Sequence, residues 1–200
     1  MNPAAWCGPP HVKLQLSSSV ASKTIASLIL SLISGCQALN TTGNKIHRHE
    51  AELPVLCAVF LTPDCPIANA MAPSLRRIGE FAQASNKKML LIYPRQGLTS
   101  KEIEHHVKAY GLVGQPILDP EHRWVKALNA RVTPEAFVFT QADDGVQVIY
   151  QGRVNDLFRG VGNRQEQARN HEFRDAIERV NSGDYMPRSG PAAVGCTIEP

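Results

Sequence analysis

Apolar residues along this chain follow two rhythms. Short runs stand at Val55-Leu56-Cys57-Ala58-Val59-Phe60-Leu61, Met89-Leu90-Leu91-Ile92-Tyr93, Ala136-Phe137-Val138-Phe139-Thr140 and Val146-Gln147-Val148-Ile149-Tyr150. Their length and their β-branched and aromatic content predict strands. The second run is apolar throughout, which predicts a central strand covered on both faces. Elsewhere apolar residues recur at three- and four-residue steps, the spacing of one helix face. Ile67, Met71, Leu75, Ile78 and Phe81 predict a helix over 66–84, kinked at Pro73. Ile103, His106, Val107 and Tyr110 predict a second, opened by a Thr99/Glu102 capping box and closed by Gly111. Residues 121–130 predict a short helix. Phe173, Ala176, Ile177 and Val180 predict a last one over 167–180. Asp143-Asp144-Gly145 predicts a hairpin turn between the third and fourth strands. The order is β-α-β-α, a short helix, then β-β-α. It predicts an α/β domain whose first two strands are parallel through a right-handed crossover, followed by an antiparallel hairpin.

The first strand ends at Thr62-Pro63-Asp64, where proline and aspartate stop a ladder and start a turn. Cys65 follows, then Pro66, a residue suited to the first helical position because its missing N–H has no partner there anyway. Cys65 is thereby set at a strand end and a helix N-terminus together. Free N–H groups and the helix dipole lower a thiol pKa from about 8.5 to roughly 3.5–7.5 at such places. The adjacent Asp64 carboxylate works against the thiolate.

Composition changes the picture mainly at the N-terminus. The chain has 200 residues, a formal charge of +3 and no basic cluster or aromatic platform suited to nucleic acid. The first 35 residues hold no acid. Lys13 and Lys23 precede the apolar stretch 24–33, and Ile33-Ser34-Gly35-Cys36 follows. A basic lead, a short apolar core and a small-residue cleavage site predict an export signal over 1–35. Its end resembles a bacterial lipobox with Cys36 as the lipidated residue, an anchor rather than a span. Loss of the two lysines takes the charge from +3 to +1. Met1 to Pro10 do not resemble a signal start, so translation is expected to begin downstream near Val12, without Cys7. Residues 36–53 read as a polar tether, with His47 and His49 in solvent. Residues 54–183 read as the domain and 184–200 as a C-terminal arm, ordered or flexible, that carries Cys196. Cys57 falls mid-strand and reads as an inert core thiol. Cys65 and Cys196 remain, and in an oxidising compartment such a pair is a natural disulfide or redox couple.

Five segments carry a resemblance: Thr62-Pro63-Asp64-Cys65-Pro66-Ile67-Ala68-Asn69, His106-Val107-Lys108-Ala109-Tyr110-Gly111, Val132-Thr133-Pro134-Glu135-Ala136, Tyr150-Gln151-Gly152-Arg153-Val154-Asn155-Asp156 and Val194-Gly195-Cys196-Thr197-Ile198. In this order they resemble a thioredoxin-like redoxin-domain family, related to alkyl hydroperoxide reductases and thiol-specific antioxidant proteins, over roughly residues 50–198. The resemblance implies a three-layer α/β fold with a central mixed sheet of four to five strands flanked by helices. It implies that Pro134 is a cis proline facing Cys65 and that the Thr133 backbone and Pro134 position substrate. It implies Cys65 as nucleophile, with Thr62 in the place of a threonine that hydrogen-bonds the thiolate or a peroxide. The chain departs from the thioredoxin Cys-x-x-Cys at Ala68, and from peroxiredoxins at Ala58, where they carry proline. Arg131 and Arg153 are the candidates for an activating arginine. Cys196 then offers a resolving cysteine, attacking a Cys65 sulfenate or mixed disulfide.

The implied protein is a lipid-anchored oxidoreductase on the periplasmic face of a bacterial membrane, with no cofactor. Its partners are a thiol reductant and a protein disulfide or peroxide, and not nucleic acid. Two alternatives stay open. One is a binding module holding copper(I) through Cys65, His106 and Cys196, with His106 on a helix of the opposite layer. The other is a structural domain closed by a Cys65–Cys196 disulfide. Arg153 and Asp156 are expected to form a local ion pair.

Overall fold

The computed structural model describes residues 54–142 and 145–199. The expected export leader, Cys36, the expected tether with His47 and His49, and Asp143-Asp144 of the expected hairpin turn lie outside the described residues. The strands are β1 (Val55–Phe60), β2 (Lys88–Tyr93), β3 (Gln115–Leu118), β4 (Val132–Thr133), β5 (Glu135–Ala142), β6 (Gly145–Gly152), β7 (Phe158–Gly160), β8 (Asn163–Arg164), β9 (Arg188–Ser189) and β10 (Cys196–Thr197). The helices are α1 (Pro66–Ala70), α2 (Ala72–Ala84), α3 (Ser100–Tyr110), α4 (Arg123–Leu128) and α5 (Glu172–Asn181).

β1 is the centre of the sheet because its side chains are apolar on both faces, so it gains most by being covered twice. Cys57, Val59 and Leu61 point into a core shared with Leu75 and Ile78 of α2, Ile103 of α3, and Phe173 and Ile177 of α5. Ala58 and Phe60 point the other way, to Leu90, Ile92, Phe137, Phe139 and Leu128 of α4. The sheet runs β3-β2-β1-β5-β6-β9. β1 pairs parallel with β2 and antiparallel with β5, and β5 pairs antiparallel with β6. Two edge strands, β3 and β9, bring it to six.

Several local expectations change in the tertiary setting. The expected helix over 66–84 breaks at Met71, where ψ is −6°, and restarts with Pro73 in its first turn. A proline there has no N–H for the carbonyl four residues back and crowds it, so the break falls just before it. α3 lies on the same side as α2, not on the opposite layer. β1, β2 and β3 step one way across the sheet, and two right-handed crossovers taken in one direction cover the same face. α5 begins at Glu172 rather than 167. The Asp156 carboxylate accepts from the backbone N–H of Arg169 and Asn170 and from Asn170 Nδ2, which holds those residues in a loop. Arg153 therefore pairs with Glu172 and not with Asp156. The β7–β8 hairpin had no counterpart in the sequence pattern.

Candidate functional site

The turn after β1 is tied before it reaches Cys65. The Cys65 N–H donates to the Thr62 carbonyl at 3.2 Å, closing Thr62-Pro63-Asp64-Cys65. Cys65 is then the N-cap of α1, and its Sγ accepts the Ala68 N–H at 3.5 Å. The position where a Cys-x-x-Cys would carry its second sulfur thus contributes an amide instead.

Across from this turn, Thr133-Pro134 is a cis peptide between β4 and β5, and the Cys65 thiol donates to the Thr133 carbonyl at 2.9 Å. The third wall is the arm. β10 pairs antiparallel with β4, Cys196 opposite Thr133 and Thr197 opposite Val132. This register brings Cys196 Sγ to 2.7 Å from Cys65 Sγ, inside the contact distance of two sulfurs, with no disulfide between them. Cys65, Cys196, Thr133 and Pro134 are therefore assembled at one point, from residues as far as 131 positions apart.

The two sulfurs differ in acidity. Burial works to raise Cys65, but donation from the Cys196 thiol, the Ala68 N–H, the Thr133 hydroxyl and the Cys196 N–H outweighs it, so the Cys65 thiol is held below its ordinary 9.0. Cys196 goes the other way. Burial, its own donation to Cys65 and the Cys65 charge push it up to about 11. Cys65 ionises first, and Cys196 keeps its proton while stabilising the Cys65 anion. The Thr133 carbonyl suits only the protonated thiol, since it has no proton to offer an anion.

The remaining expected residues fall less centrally. Thr62 supplies its backbone carbonyl to the turn; the hydroxyl bond to the Cys65 sulfur that the resemblance implied is not present. Asp64 pairs with Arg95 on the surface, so its charge is met by a cation instead of facing the thiolate alone. Arg153 is committed to Glu172, and the Arg131 N–H donates to Glu135 Oε2. His106 does not join the two sulfurs. Its Nε2 lies 2.9 Å from Asn69 Oδ1 and its Nδ1 2.8 Å from Tyr93 Oη. Asn69 Nδ2 donates to the Pro63 carbonyl at 2.7 Å, which orients its amide. His106 Nε2–H therefore donates to Asn69 and Nδ1 accepts from Tyr93, with the ring neutral. Burial, helped by His105, lowers His106 and keeps it so. The copper set Cys65, His106 and Cys196 is thus not assembled, because both ring nitrogens are occupied by the chain that braces Pro63. Among the described residues no group of three or more His, Cys, Asp or Glu is placed to hold a metal.

Sequence reasoning missed the bracing roles of Asn69 and Tyr93 and the fit of Gly195. A Cβ on Gly195 would stand 2.1 Å from the Thr133 carbonyl oxygen. The Gly-Cys dipeptide was visible, but the surface it meets was not. Beside the site, Thr62, Asp64, Arg95, Thr197, Ile198 and Glu199 line an open cleft of about 380 Å³.

The sequence matches no protein-family model and no curated protein. Solved structures do match. A hypothetical protein of Sinorhizobium meliloti aligns at 22% identity and a TM-score of 0.60, over 72% of this chain and 79% of that one. An uncharacterized conserved protein of Geobacillus kaustophilus aligns at 16% identity and a TM-score of 0.60, over 73% and 77%. A secreted disulfide oxidoreductase of Mycobacterium tuberculosis also aligns, at 20% identity and a TM-score of 0.41, over 64% and 84%. Parallel β1–β2, an antiparallel β5–β6 hairpin, helices on both faces and a cis-proline loop opposite the first helix make this a thioredoxin-like fold.

Proposed function

We propose that this chain is a thiol–disulfide oxidoreductase in which Cys65 is the nucleophile and Cys196 the resolving cysteine. The observation that carries the reading is the 2.7 Å approach of two free thiols with opposite shifts in acidity. A nucleophile needs the lowered pKa, and a resolving thiol that stays protonated does not compete with it. The Cys65 thiolate attacks one sulfur of a target disulfide. A Cys65–target mixed disulfide forms, and the second target sulfur leaves as a thiolate that takes a proton. Cys196 then gives up its proton and attacks Cys65 Sγ. The mixed disulfide breaks, the target leaves as a dithiol, and a Cys65–Cys196 disulfide remains. The target gains two electrons and the chain loses two; an external dithiol restores it. Thr133 and Pro134 hold the target segment against Cys65, and Asn69, His106 and Tyr93 keep the Pro63 turn in place.

In the same reading, residues 1–35 export the chain, Cys36 carries the lipid and residues 36–53 tether the domain outside the cytoplasmic membrane. An oxidising compartment suits a reversible disulfide.

The test is stoichiometric oxidation of the chain with a model protein disulfide, followed by mass spectrometry of non-reduced peptides. The expected product is one Cys65–Cys196 linkage and one reduced target disulfide per chain. Cys65 and Cys196 both free after incubation would rule the exchange out. Linkage formed with hydrogen peroxide but not with protein disulfides would move the function to peroxide reduction at the same two sulfurs.

A further inference from the structure

A second cleft, of about 580 Å³, opens where α2, the β7–β8 hairpin and the start of α5 meet. None of Cys65, Cys196, Thr133 and Pro134 lines it, and thiol exchange gives it nothing to do. Its size is that of a small-molecule site.

The lining has an apolar floor and a cationic wall. Ile78 and Leu157 of the floor belong to the buried core, and Phe81 packs against that core. The wall is built from three elements distant in sequence: Arg77 comes from α2, Arg164 from β8 and Arg174 from α5. Glu166 is the single carboxylate among the described residues of the lining; it is exposed and pairs with none of the three.

Elsewhere the chain matches its arginines. Arg95, Arg123, Arg153, Arg179 and Arg188 each have a carboxylate within ion-pair distance. Among the described residues the three cleft arginines have no such partner. Arg77 donates to Ser74 Oγ at 3.3 Å. The Arg174 guanidinium lies over the Phe81 ring, 5.0 Å from its centroid. Stacking of this kind covers one face of a guanidinium and leaves its N–H edge free for an anion.

The wall is also pinned. The Gln165 N–H donates to the Leu157 carbonyl at 2.8 Å, and the Asp156 carboxylate holds the N–H groups of Arg169 and Asn170. Both ends of the segment that follows Arg164 are thereby fixed, so a ligand orders little on entering.

Charge and shape together narrow the ligand. A carboxylate has two oxygens and one charge, which a single guanidinium fork satisfies. A phosphate monoester has three terminal oxygens and about two negative charges at neutral pH, enough to be shared between guanidiniums of different elements. A free phosphate ion would leave Ile78, Phe81 and Leu157 uncovered. We infer that the cleft between α2, β8 and α5 binds a phosphate monoester with an apolar body, the phosphate held by Arg77, Arg164 and Arg174 and the body lying on Ile78, Phe81 and Leu157.

The test is equilibrium dialysis of the full chain against naphthyl phosphate, with naphthol and inorganic phosphate as its two halves. Naphthyl phosphate is expected to bind once per chain and at least about tenfold more tightly than either half. Arg77→Ala, Arg164→Ala and Arg174→Ala should each weaken it by about tenfold or more, the scale of one charged hydrogen bond. All three side chains are exposed, so the fold should survive, which thermal unfolding checks. Arg76→Ala, on the same helix as Arg77 but outside the cleft, should leave binding unchanged. Co-sedimentation with phosphatidylcholine vesicles only when they carry phosphatidic acid, lost in Arg164→Ala, would keep the phosphate ester and assign it to a lipid headgroup; binding of naphthyl phosphate without vesicle retention would assign it to a soluble molecule. Equal affinity for naphthyl phosphate and inorganic phosphate would overturn the proposal, because the floor would then contribute nothing. An equal loss in Arg76→Ala would overturn it too, as an effect of overall charge. So would the absence of binding to both the soluble ester and the vesicles.

Discussion

Cys57 and Cys65 sit in the middle of β1 and in the turn that follows it, and neither is open to solvent: they are 0% and 1% exposed. Their thiols nevertheless move in opposite directions. Cys57 is pushed up to about 12 by burial, with Lys87 opposing only weakly. Cys65 is lowered despite burial, because the Cys196 thiol and the Ala68 N–H donate to its sulfur, with Thr133 adding to the effect. The lesson is that exposure does not sort a lowered thiol from a raised one here. In a strand interior the backbone N–H groups are spent on neighbouring strands, so a thiol gains desolvation and nothing else. At a strand end that becomes a helix start, N–H groups are still free, and the arm adds a second thiol.

The sharpest way to break this contrast is to remove each sulfur in turn. Cys65→Ser should abolish exchange with a protein disulfide, whereas Cys57→Ala should keep the wild-type rate and lower stability by about 1 kcal/mol for the small cavity. Loss of exchange in Cys57→Ala with the fold intact, followed by target reduction, would end the distinction.

Asp156 tests the same rule with a carboxylate. It is 3% exposed. Burial works to raise it, but the N–H groups of Asn170 and Arg169 prevail and hold it at about 2, against an ordinary 3.8. A lowered carboxylate contributes stability that is present above the ordinary value and lost as pH falls from 3.8 towards 2. Asp156→Asn should therefore cost about 1 kcal/mol in denaturant unfolding near neutral pH, a charged hydrogen-bond effect discounted for nearby solvent. The difference should shrink on acidification through that window. A constant difference down to pH 2 would separate Asp156 from the rule.

Cys196→Ala sharpens the contrast at the site itself. It removes the largest group lowering Cys65, so the Cys65 titration should move upward towards 9.0. Thiolate absorbance or the pH profile of single-turnover alkylation reads this. The rate should rise with pH through one ionisation lying below 9.0 in the wild type and higher in the variant. An unchanged midpoint would mean that Ala68 and Thr133 suffice.

The smallest effect is expected at Asn69. Asn69→Ala cuts the Pro63–Asn69–His106 chain at both of its hydrogen bonds and should slow exchange by about threefold, a fraction of what two partly buried hydrogen bonds contribute to stability. Because burial lowers His106, the wild-type pH profile should show no inflection from it near 6.5. Such an inflection, removed by His106→Gln, would promote His106 from positioning to proton transfer.

Much of the fold was legible along the chain. β1 and β2 stood out as apolar runs, and Thr99, Glu102 and Gly111 marked both ends of α3, whereas the cis bond at Pro134 was expected only from the family resemblance. These signals are local: a run, a cap or a turn is decided within a few residues. The layer of α3 was misjudged because it depends on strand order, which no helix face reveals. α5 began late because Asp156 captured Arg169 and Asn170 from outside the helix. The copper set failed because Asn69 and Tyr93, neither marked as a partner, took both nitrogens of His106.

The site divides along the same line. The place of Cys65 at a strand end before Pro66 was legible by sequence alone, since free N–H groups at a helix start follow from local geometry. What the sequence left open was the fate of Cys196, on an arm that reads as either ordered or flexible. Tertiary structure decided it through main-chain pairing of β10 with β4, a contact between backbones that no side-chain pattern encodes. The fit of Gly195 against the Thr133 carbonyl was decided in the same contact, because steric room exists only once both surfaces are in place.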